Sequence, residues 1–171
     1  MSIQPPANDA GRPYLAGNTV LYGATGGQLF IAGRAGERFA VRNSGAVAVV
    51  EGTGDHACEY MTAGAVVILG EVGRNLGAGM SGGEAYIYDP ENNLDASLNT
   101  QLVAAYEPTE GQLESLKRVI GLHRDASGSE VAAAILESWE TEAALFKRVA
   151  PVAEVARLEA LFEGTTTSPA P

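Results

Sequence analysis

Glycine recurs at a constant interval in the first half of this 171-residue chain. Gly26, Gly45, Gly64 and Gly83 are each 19 residues apart. A short run rich in β-branched or aromatic residues, which is typical of a strand, follows each glycine. These runs are 27–32, 46–51, 65–70 and 84–89. Because such short units cannot hold a crossover helix, the spacing predicts a parallel β-solenoid with the four glycines at equivalent corners.

Composition favours strands and turns in this half of the chain. Residues 1–89 hold 17 of the 21 glycines, and glycine costs about 1 kcal/mol at an interior helical position. Helical-hairpin repeats are therefore excluded, and a β-propeller is disfavoured because its blades repeat at about 40 residues or more. We expect the next-to-last residues of the four predicted strands to form one column. They are Ile31, Val50, Leu69 and Tyr88.

The second half of the chain has the pattern of helices. Two capping boxes, Thr109–Gln112 and Ser127–Glu130, each predict a helix start. Apolar residues at helical spacing follow both boxes, and the second series runs from Val131 to Phe146. Pro151 then interrupts the pattern, and a third helix is predicted after it.

We expect three regions along the chain. Residues 1–105 are predicted to form a β-helix domain that ends, from 90 to 105, in an extended exit segment lying along the coils. Three apolar residues are expected to hold that segment in place. They are Leu94, Leu98 and Val103. Residues 106–163 are predicted to be helices that flank the solenoid and cover its strand edges, and residues 164–171 a disordered tail.

Composition also bounds the class of protein. One cysteine excludes a disulfide framework and an all-cysteine metal or iron–sulfur site within this chain. No apolar run is long enough to span a membrane, and the start lacks the pattern of a signal peptide, so we expect a cytoplasmic protein. The net charge of −10 argues against nucleic-acid binding, which needs a basic face.

The segment from Gly77 to Gly82 matches the dinucleotide-binding pattern G-x-G-x-x-G. That function requires a helix to open directly after the glycines, so that its N-terminus can hold a pyrophosphate. Here a predicted strand follows instead, and the segment falls within the 19-residue repeat. We therefore interpret these glycines as solenoid corners.

Four reactive side chains occur within five residues. They are Asp55, His56, Cys58 and Glu59. Two functions are conceivable for them, a Cys–His nucleophile or a set of metal ligands. The repeat places Cys58 in the position of Phe39 and Gly77, which favours a small buried residue over a reactive thiol. A contact between His56 and Cys58 stays possible, because alternate residues of a strand share a face.

Charged residues on the coils have two possible roles. The arginines are Arg34, Arg38, Arg42 and Arg74. We expect them to pair with acidic residues of neighbouring coils, and an anion site is the alternative. The acidic candidates are Glu37, Glu51, Asp55 and Glu59.

Other polar and aromatic residues have simpler interpretations. Asn43 and Asn75 are expected at turns, where the asparagine side chain bonds to the backbone. His123 is expected to act as a polar group near the end of the first helix. Trp139 is expected in the core between helix and solenoid.

Four long segments resemble one known family. They are 17–26, 34–45, 51–62 and 73–83. They resemble the C-terminal glycine-repeat (GXGXG) domain of the large subunit of glutamate synthase, and the stretches 127–132 and 139–146 resemble the helical end of that subunit. The resemblance covers most of the chain, about residues 17–150.

The resemblance implies a right-handed parallel β-helix with a structural role. In glutamate synthases this domain is a non-catalytic scaffold between a glutaminase domain and a domain that carries FMN and an iron–sulfur cluster. The whole enzyme converts glutamine, 2-oxoglutarate and reducing equivalents into two glutamates. We accordingly expect no catalytic, cofactor-binding or metal-binding residue in this chain, whose marked residues are the structural glycines Gly26, Gly45, Gly64 and Gly83.

Two other functions stay open beside this one. The chain is alternatively a stand-alone repeat subunit of another redox complex, since similar domains occur in formylmethanofuran dehydrogenases, or a small enzyme that uses Asp55, His56 and Cys58. The chain contains neither a glutaminase nor a flavin domain, and residues 3–6 look like the end of a coil. We expect the resulting strand edge to be covered by the N-terminal segment, by a second copy or by a partner subunit.

Overall fold

The structure, a computed structural model, describes residues 1–5 and 13–165. Its described strands are β1 (Ser2–Ile3), β2 (Tyr14–Ala16), β3 (Gln28–Ile31), β4 (Arg34–Ala35), β5 (Ser44–Val50), β6 (Ala63–Ile68), β7 (Glu84–Tyr88), β8 (Val103–Tyr106) and β9 (Phe146–Pro151). Its described helices are α1 (Glu110–Ser127), α2 (Glu130–Glu137), α3 (Trp139–Glu142) and α4 (Val152–Thr165), with short 3-10 helices at Leu94–Ala96 and Ala143–Leu145.

Each coil of the solenoid adds one parallel strand to a growing sheet. Within the described chain this sheet has seven strands in the order β1-β3-β5-β6-β7-β9-β8, and its pairs from β1 to β7 are parallel. A two-stranded parallel sheet of β2 and β4 lies further along the coil. The predicted mostly β fold, a β-solenoid of about four turns with C-terminal helices, is confirmed.

The coils do not all have the same length. Partner residues of β3 and β5 are 19 positions apart, and so are those of β6 and β7. In β5 a bulge lies between Ser44, which pairs with Ala63, and Val47, which pairs with Ala65. After the bulge, each β5 residue pairs with the β6 residue 18 positions later.

This bulge shifts the predicted column of strand residues by one position. Val50 pairs with Ile68, and Ile68 pairs with Ile87. The prediction that Leu69 and Tyr88 continue the column of Ile31 and Val50 is therefore wrong. A one-residue change of register moves a side chain to the opposite face of the sheet, and Leu69 accordingly packs with the helices.

The two faces of the sheet form two cores, because alternate strand residues point to opposite sides. The inner face fills the solenoid with apolar side chains from every coil, including Ile31, Val50, Ile68 and Ile87. The outer face packs against the helices. That second core includes Phe30, Val49, Val67 and Tyr86 from the sheet and Leu116, Ile120, Ile135, Trp139 and Phe146 from the C-terminal half.

Three of the four marked glycines lie directly against the backbone of the preceding coil. A Cβ added to Gly45 would lie 2.4 Å from the carbonyl oxygen of Thr25, and one added to Gly64 would lie 2.4 Å from that of Ala46. A Cβ on Gly83 would lie 2.9 Å from the oxygen of Gly64. No side chain fits in these spaces, which is the physical reason for glycine at these positions.

A second column of glycines marks the start of each coil. It consists of Gly17, Gly36, Gly54 and Gly73, which we take as the first residues of coils 1 to 4. A Cβ on Gly36 would lie 3.0 Å from the carbonyl carbon of Gly17, one on Gly54 3.1 Å from that of Gly36, and one on Gly73 2.4 Å from that of Gly54. The coils therefore stack in direct backbone contact along this column.

The first predicted helix start is confirmed, and the second is wrong. Thr109 caps α1 in a capping box with Gln112. Ser127 is the last residue of α1, Gly128 is its left-handed C-cap, and Ser129 caps α2 through the amide of Ala132. In the sequence Ser-Gly-Ser the glycine ends one helix, so the second serine begins the next.

The predicted continuation of the second helix to Phe146 is also wrong. The helix ends at Glu137, α3 and a 3-10 turn follow, and Phe146 begins strand β9, which pairs antiparallel with both β7 and β8. Since β7 would otherwise be the last strand of the sheet, β9 satisfies its free edge. Helix α4 follows Pro151, as predicted.

Residues 90–105 contact the coils, and they include a 3-10 helix and the start of β8 as well as extended chain. Leu94 and Val103 are buried in the inner core, and Leu98 forms a parallel bridge with Leu76 of coil 4. The division into domains stays a prediction, although β9 joins the sheet from within the C-terminal half. Helix α4 continues to Thr165, and residues 166–171 of the predicted tail lie outside the described residues.

Candidate functional site

One corner of each coil has an alternating backbone conformation, in which every second residue has a positive φ. In coil 3 these residues are His56, Cys58 and Tyr60, with φ of 68°, 59° and 54°. Each non-glycine residue in this region carries a cost of about 1–2 kcal/mol. Hydrogen bonds between coils offset it, because the amide of His56 donates to the carbonyl of Arg74 and that of Tyr60 to the carbonyl of Ala78.

The alternation separates the four clustered reactive side chains. The thiol of Cys58 is fully buried in the inner core. The side chain of His56 is 33% exposed, and its Nδ1 lies 2.6 Å from Oε1 of Glu59. The side chain of Asp55 faces Arg74 in the next coil. The cluster therefore forms two polar pairs and one isolated thiol, and the described contacts include no bond between His56 and Cys58.

The environment of Cys58 disfavours chemistry at its sulfur. Burial raises the pKa of the thiol to about 12, because the charged thiolate loses its hydration. The hydrogen bond from Cys58 to the carbonyl of Phe39 places it opposite Ala40, so its predicted alignment with Phe39 is wrong by one residue. Its predicted burial is confirmed.

The arginines form some of the predicted ion pairs. Arg74 donates from Nε and Nη2 to Asp55, whose Oδ1 also accepts the amide of Arg74. These bonds lower the pKa of Asp55. Arg34 pairs with Glu71 rather than with a predicted partner, and its guanidinium stacks on the ring of Tyr14 at 5.0 Å.

Arg38 and Arg42 differ from these two arginines. Both are exposed, and neither side chain has an ion pair or hydrogen bond among the described residues. Pairing with Glu37, Glu51 or Glu59 is therefore wrong for them.

The G-x-G-x-x-G segment is part of the solenoid wall. Gly77 and Gly79 have φ of 71° and 67°, and the strand β7 follows the segment. A Cβ on Gly79 would lie 2.4 Å from the ring of Tyr60, and one on Gly77 would lie 3.1 Å from Val103. These glycines make room for neighbouring side chains, and the segment leads into a strand instead of opening a helix.

A buried polar cluster joins the solenoid to the helices. It consists of Glu51, His123, Ser127 and Ser129, each less than 5% exposed. The hydroxyl of Ser129 donates to Oε1 of Glu51, and Nε2 of His123 lies 3.7 Å from the same oxygen, beyond hydrogen-bond distance. Ser127 donates to the carbonyl of His123, and its hydroxyl lies 3.2 Å from Nδ1.

Sequence reasoning missed this cluster. The expectation of a polar helix-end role for His123 is wrong, because its side chain is fully buried against Phe30 and faces the coil. One signal was available. In the observed register Glu51 aligns with Ala32, Leu69 and Tyr88, so a carboxylate interrupts an otherwise apolar or aromatic column. Its partner His123 lies 72 positions later in the chain, and no pattern in the sequence around either residue indicates that the two meet.

Asn43 and Trp139 lie as predicted, whereas Asn75 lies at a turn but its side chain makes no hydrogen bond among the described residues. Asn43 is buried at a turn, where its side chain accepts the amide of Ala46 and donates to that residue's carbonyl. Asn75 has a φ of 59° at a turn. Trp139 is buried against Phe146 in the outer core.

The described residues include no group of three or more His, Cys, Asp or Glu side chains placed to hold a metal ion. None of their helices combines the length and apolar character that crossing a membrane requires.

Stacked coils of 18 or 19 residues with glycines at their corners define a glycine-repeat solenoid domain. The chain belongs to the family described as GXGXG motif, which matches residues 1–152.

Curated relatives of the chain are glutamate synthases. It is 49% identical to the chloroplastic ferredoxin-dependent glutamate synthase of Spinacia oleracea over 172 residues, covering 96% of this chain and 10% of the relative. It is 55% identical to ferredoxin-dependent glutamate synthase 2 of Arabidopsis thaliana over 142 residues, covering 82% of this chain and 9% of the relative. It is 49% identical to glutamate synthase [NADH] of Schizosaccharomyces pombe over 153 residues, covering 87% of this chain and 7% of the relative.

These matches confirm the predicted resemblance to the glycine-repeat domain of glutamate synthase. They also show how little of each relative is matched, because the chain spans about a tenth of the length of the curated relatives it matches.

Proposed function

We propose that this chain is a non-catalytic structural domain of a glutamate synthase. In this proposal it joins the glutaminase domain to the domain with FMN and an iron–sulfur cluster, and it contributes no reacting group. The identity of 49% over nearly the whole chain to a segment of a glutamate synthase supports the parent enzyme.

The observation that carries the structural role is the interior of the solenoid. Apolar side chains from every coil fill it, and the cysteine of the chain lies among them with a raised pKa. A catalytic site needs a cleft in which nucleophile and base lie within hydrogen-bond reach. The cluster at Asp55, His56 and Cys58 does not meet that requirement, which disfavours the small-enzyme alternative.

The remaining parts of the proposal follow from the parent enzyme. FMN and the iron–sulfur cluster belong to other domains, and the partners are the glutaminase and FMN-binding domains or subunits. A cytoplasmic location, expected from the sequence, belongs to the same proposal, while both plant relatives above are named chloroplastic.

The test uses the purified chain alone and then with its proposed partners. Alone, the chain should show no glutaminase activity, no glutamate formation from glutamine and 2-oxoglutarate, and no flavin absorption. Mixed with the separately expressed glutaminase and FMN domains of a glutamate synthase whose glycine-repeat segment has been deleted, it should form a complex and restore glutamate formation.

Three results would contradict the proposal. They are turnover by the chain alone, flavin bound by the chain alone, and failure of the folded chain to bind or activate the deleted enzyme. Co-purification from the native source with a different redox enzyme would instead favour the stand-alone subunit of another complex.

A further inference from the structure

The outer edge of coil 1, residues 17–27, contains glycines that the described chain does not need. Gly36, Gly54 and Gly73 each lie against the backbone of the preceding coil. No described atom lies within 4 Å of a Cβ added to Gly17 or Gly26, and neither has a positive φ. In later coils the equivalent glycines admit a neighbouring backbone, and at this edge that neighbour is missing from the described residues.

The same edge presents unpaired backbone amides. In coil 2 the amides of Gly36, Ala40 and Ser44 donate to carbonyls of coil 1. The equivalent amides of coil 1 belong to Gly17, Leu21 and Thr25, and none of them donates to a described acceptor. Carbonyl oxygens alternate with these donors along the edge. In coil 2 the carbonyl of Val41 accepts the amide of Gly23. The equivalent carbonyl of coil 1, that of Tyr22, accepts no amide from a described residue.

This edge also lacks the charges that normally protect a free edge. Residues 13–33 include no Asp, Glu, Lys or Arg, although the chain carries 32 such residues and each later coil has several. Native proteins use charged side chains to keep exposed strand edges from pairing with other chains. Two tyrosines beside the edge, Tyr14 and Tyr22, are 63% and 56% exposed.

We propose that the outer edge of coil 1 pairs with the same edge of a second copy, about a two-fold axis near Leu21 and Tyr22. In that antiparallel arrangement the amide of Leu21 faces the carbonyl of the partner's Tyr22, and the amide of Thr25 faces that of the partner's Asn18. Gly17 faces the partner's Gly26, so two backbones meet where neither has a Cβ. An edge that complements itself is what a two-fold interface requires.

The rest of the molecule favours this arrangement over a head-to-tail stack. The opposite end of the solenoid is covered, because Leu76 of coil 4 bonds to Ser97 and Asn99 and β9 pairs with β7. Each copy carries a charge of −10, and the charge-free edge lets two copies meet without placing like charges in contact. This inference does not depend on the proposed function.

Light scattering and analytical ultracentrifugation of the purified chain over a range of concentrations test the proposal. The wild-type chain should dimerise reversibly. Tyr22→Glu should raise the dimer dissociation constant by at least about tenfold, because it places two negative charges across the axis. Tyr60→Glu is the matched control, since Tyr60 is also 56% exposed but lies on coil 3, and it should leave the dissociation constant unchanged.

A second variant addresses the backbone contact itself. Gly17→Ala with Gly26→Ala puts two methyl groups into open space in the monomer, so folding should be unaffected, whereas the dimer should weaken. Hydrogen exchange at Leu21 and Thr25 should slow as concentration rises. A chain that stays monomeric with fast exchange at these amides overturns the proposal, as does binding of the edge to a partner domain only, or a dimer insensitive to both Tyr22→Glu and the glycine pair.

Discussion

The thiol of Cys58 lies inside the coil stack, where burial raises its pKa to about 12. At neutral pH such a thiol is almost wholly protonated, and the thiolate is the form that reacts with electrophiles. Its neighbours His56 and Glu59 bond to each other instead. The position of Cys58 in the repeat, which buries its thiol, therefore limits its reactivity although a thiol is intrinsically nucleophilic.

Iodoacetamide should modify Cys58 very slowly in the native chain at neutral pH and quickly after unfolding in urea. The physical reason is that both access and ionisation require the coil to open. The control is Thr62→Cys in a Cys58→Ala background, because Thr62 is exposed on the same coil and should react fast in the native state. Mass spectrometry measures both rates, and rapid native modification of Cys58 would support the small-enzyme alternative.

Glu51 should contribute more to stability than an exposed glutamate does. Glu51→Ala removes the acceptor of the buried Ser129 hydroxyl hydrogen and the carboxylate that faces His123, and a buried donor left without an acceptor costs about 1–3 kcal/mol. Glu71→Ala is the control, since Glu71 is 78% exposed in its ion pair with Arg34, and it should cost less than about 1 kcal/mol. Urea unfolding compares the two free energies, and equal values would contradict the cluster's role.

The carboxylate of Asp55 should make stability depend on pH in acid. Its pKa is lowered from 3.8 by the amide and then by the guanidinium of Arg74. A lowered pKa contributes stability that is present above the unfolded value and is lost as pH falls through the folded value. The loss should therefore begin near pH 4 and continue below it.

Asp55→Asn should remove that acid-side loss by lowering the free energy of unfolding at neutral pH, because the amide keeps the bond to the backbone of Arg74 but not the charge that attracts its guanidinium, and the two proteins should converge in acid. Asn18 already shows that an amide oxygen can accept the equivalent amide, that of Glu37. Urea unfolding of wild type and variant between about pH 2.5 and 7 gives the comparison. The same acid dependence in both proteins would assign it to other carboxylates.

Among the elements, the coils depend on glycine for space rather than for flexibility. Gly73→Ala places a Cβ 2.4 Å from the amide nitrogen of Asp55 and should destabilise the fold by about 1–3 kcal/mol or more, because that backbone is held by the preceding coil. Gly121→Ala, in α1 with open space around it, should stabilise by about 1 kcal/mol. Thermal or urea unfolding should show changes in the free energy of unfolding of opposite sign for the two variants. No change for Gly73→Ala would show that the coils are not in contact there.

Elements with strong local signals were predictable from the sequence. Glycine spacing and β-branched runs gave the parallel coils, and Thr109 with Gln112 gave the start of α1. The β5 bulge was not predictable, because nothing local distinguishes Gly45 and Ala46 from residues of a regular strand. Phe146 continues the apolar spacing of a helix in the sequence. It begins a strand because the edge of β7, which exists only in the folded structure, pairs with it.

The same distinction applies to the candidate site. The burial of Cys58 and the pairing of Asp55 with Arg74 follow from the repeat, which predicts contacts 19 residues apart. The contact between Glu51 and His123 links a coil to a helix and has no period. Such pairs become visible only once the packing of helices on the sheet is known.

At the scale of the whole molecule, the solenoid is a sheet with two apolar faces. The inner face closes on itself, and the outer face is covered by α1, α2 and the segment around Trp139. Strands β9 and β8 finish the sheet at one end. Most charged groups of the described residues lie on the outside, the buried carboxylates of Glu51 and Asp89 are hydrogen-bonded, and the thiol of Cys58 is enclosed in the inner core. This arrangement is compatible with the proposed framework role.

The most direct measurement of the framework claim is the activity of a hybrid glutamate synthase whose glycine-repeat segment is replaced by this chain. A hybrid carrying Asp55→Asn, His56→Gln and Cys58→Ala should keep nearly full glutamate formation, since no reacting group is removed. A hybrid carrying Gly73→Val should lose assembly and activity together, because its coils cannot stack. Loss of turnover in the first hybrid, with assembly intact, would contradict the account.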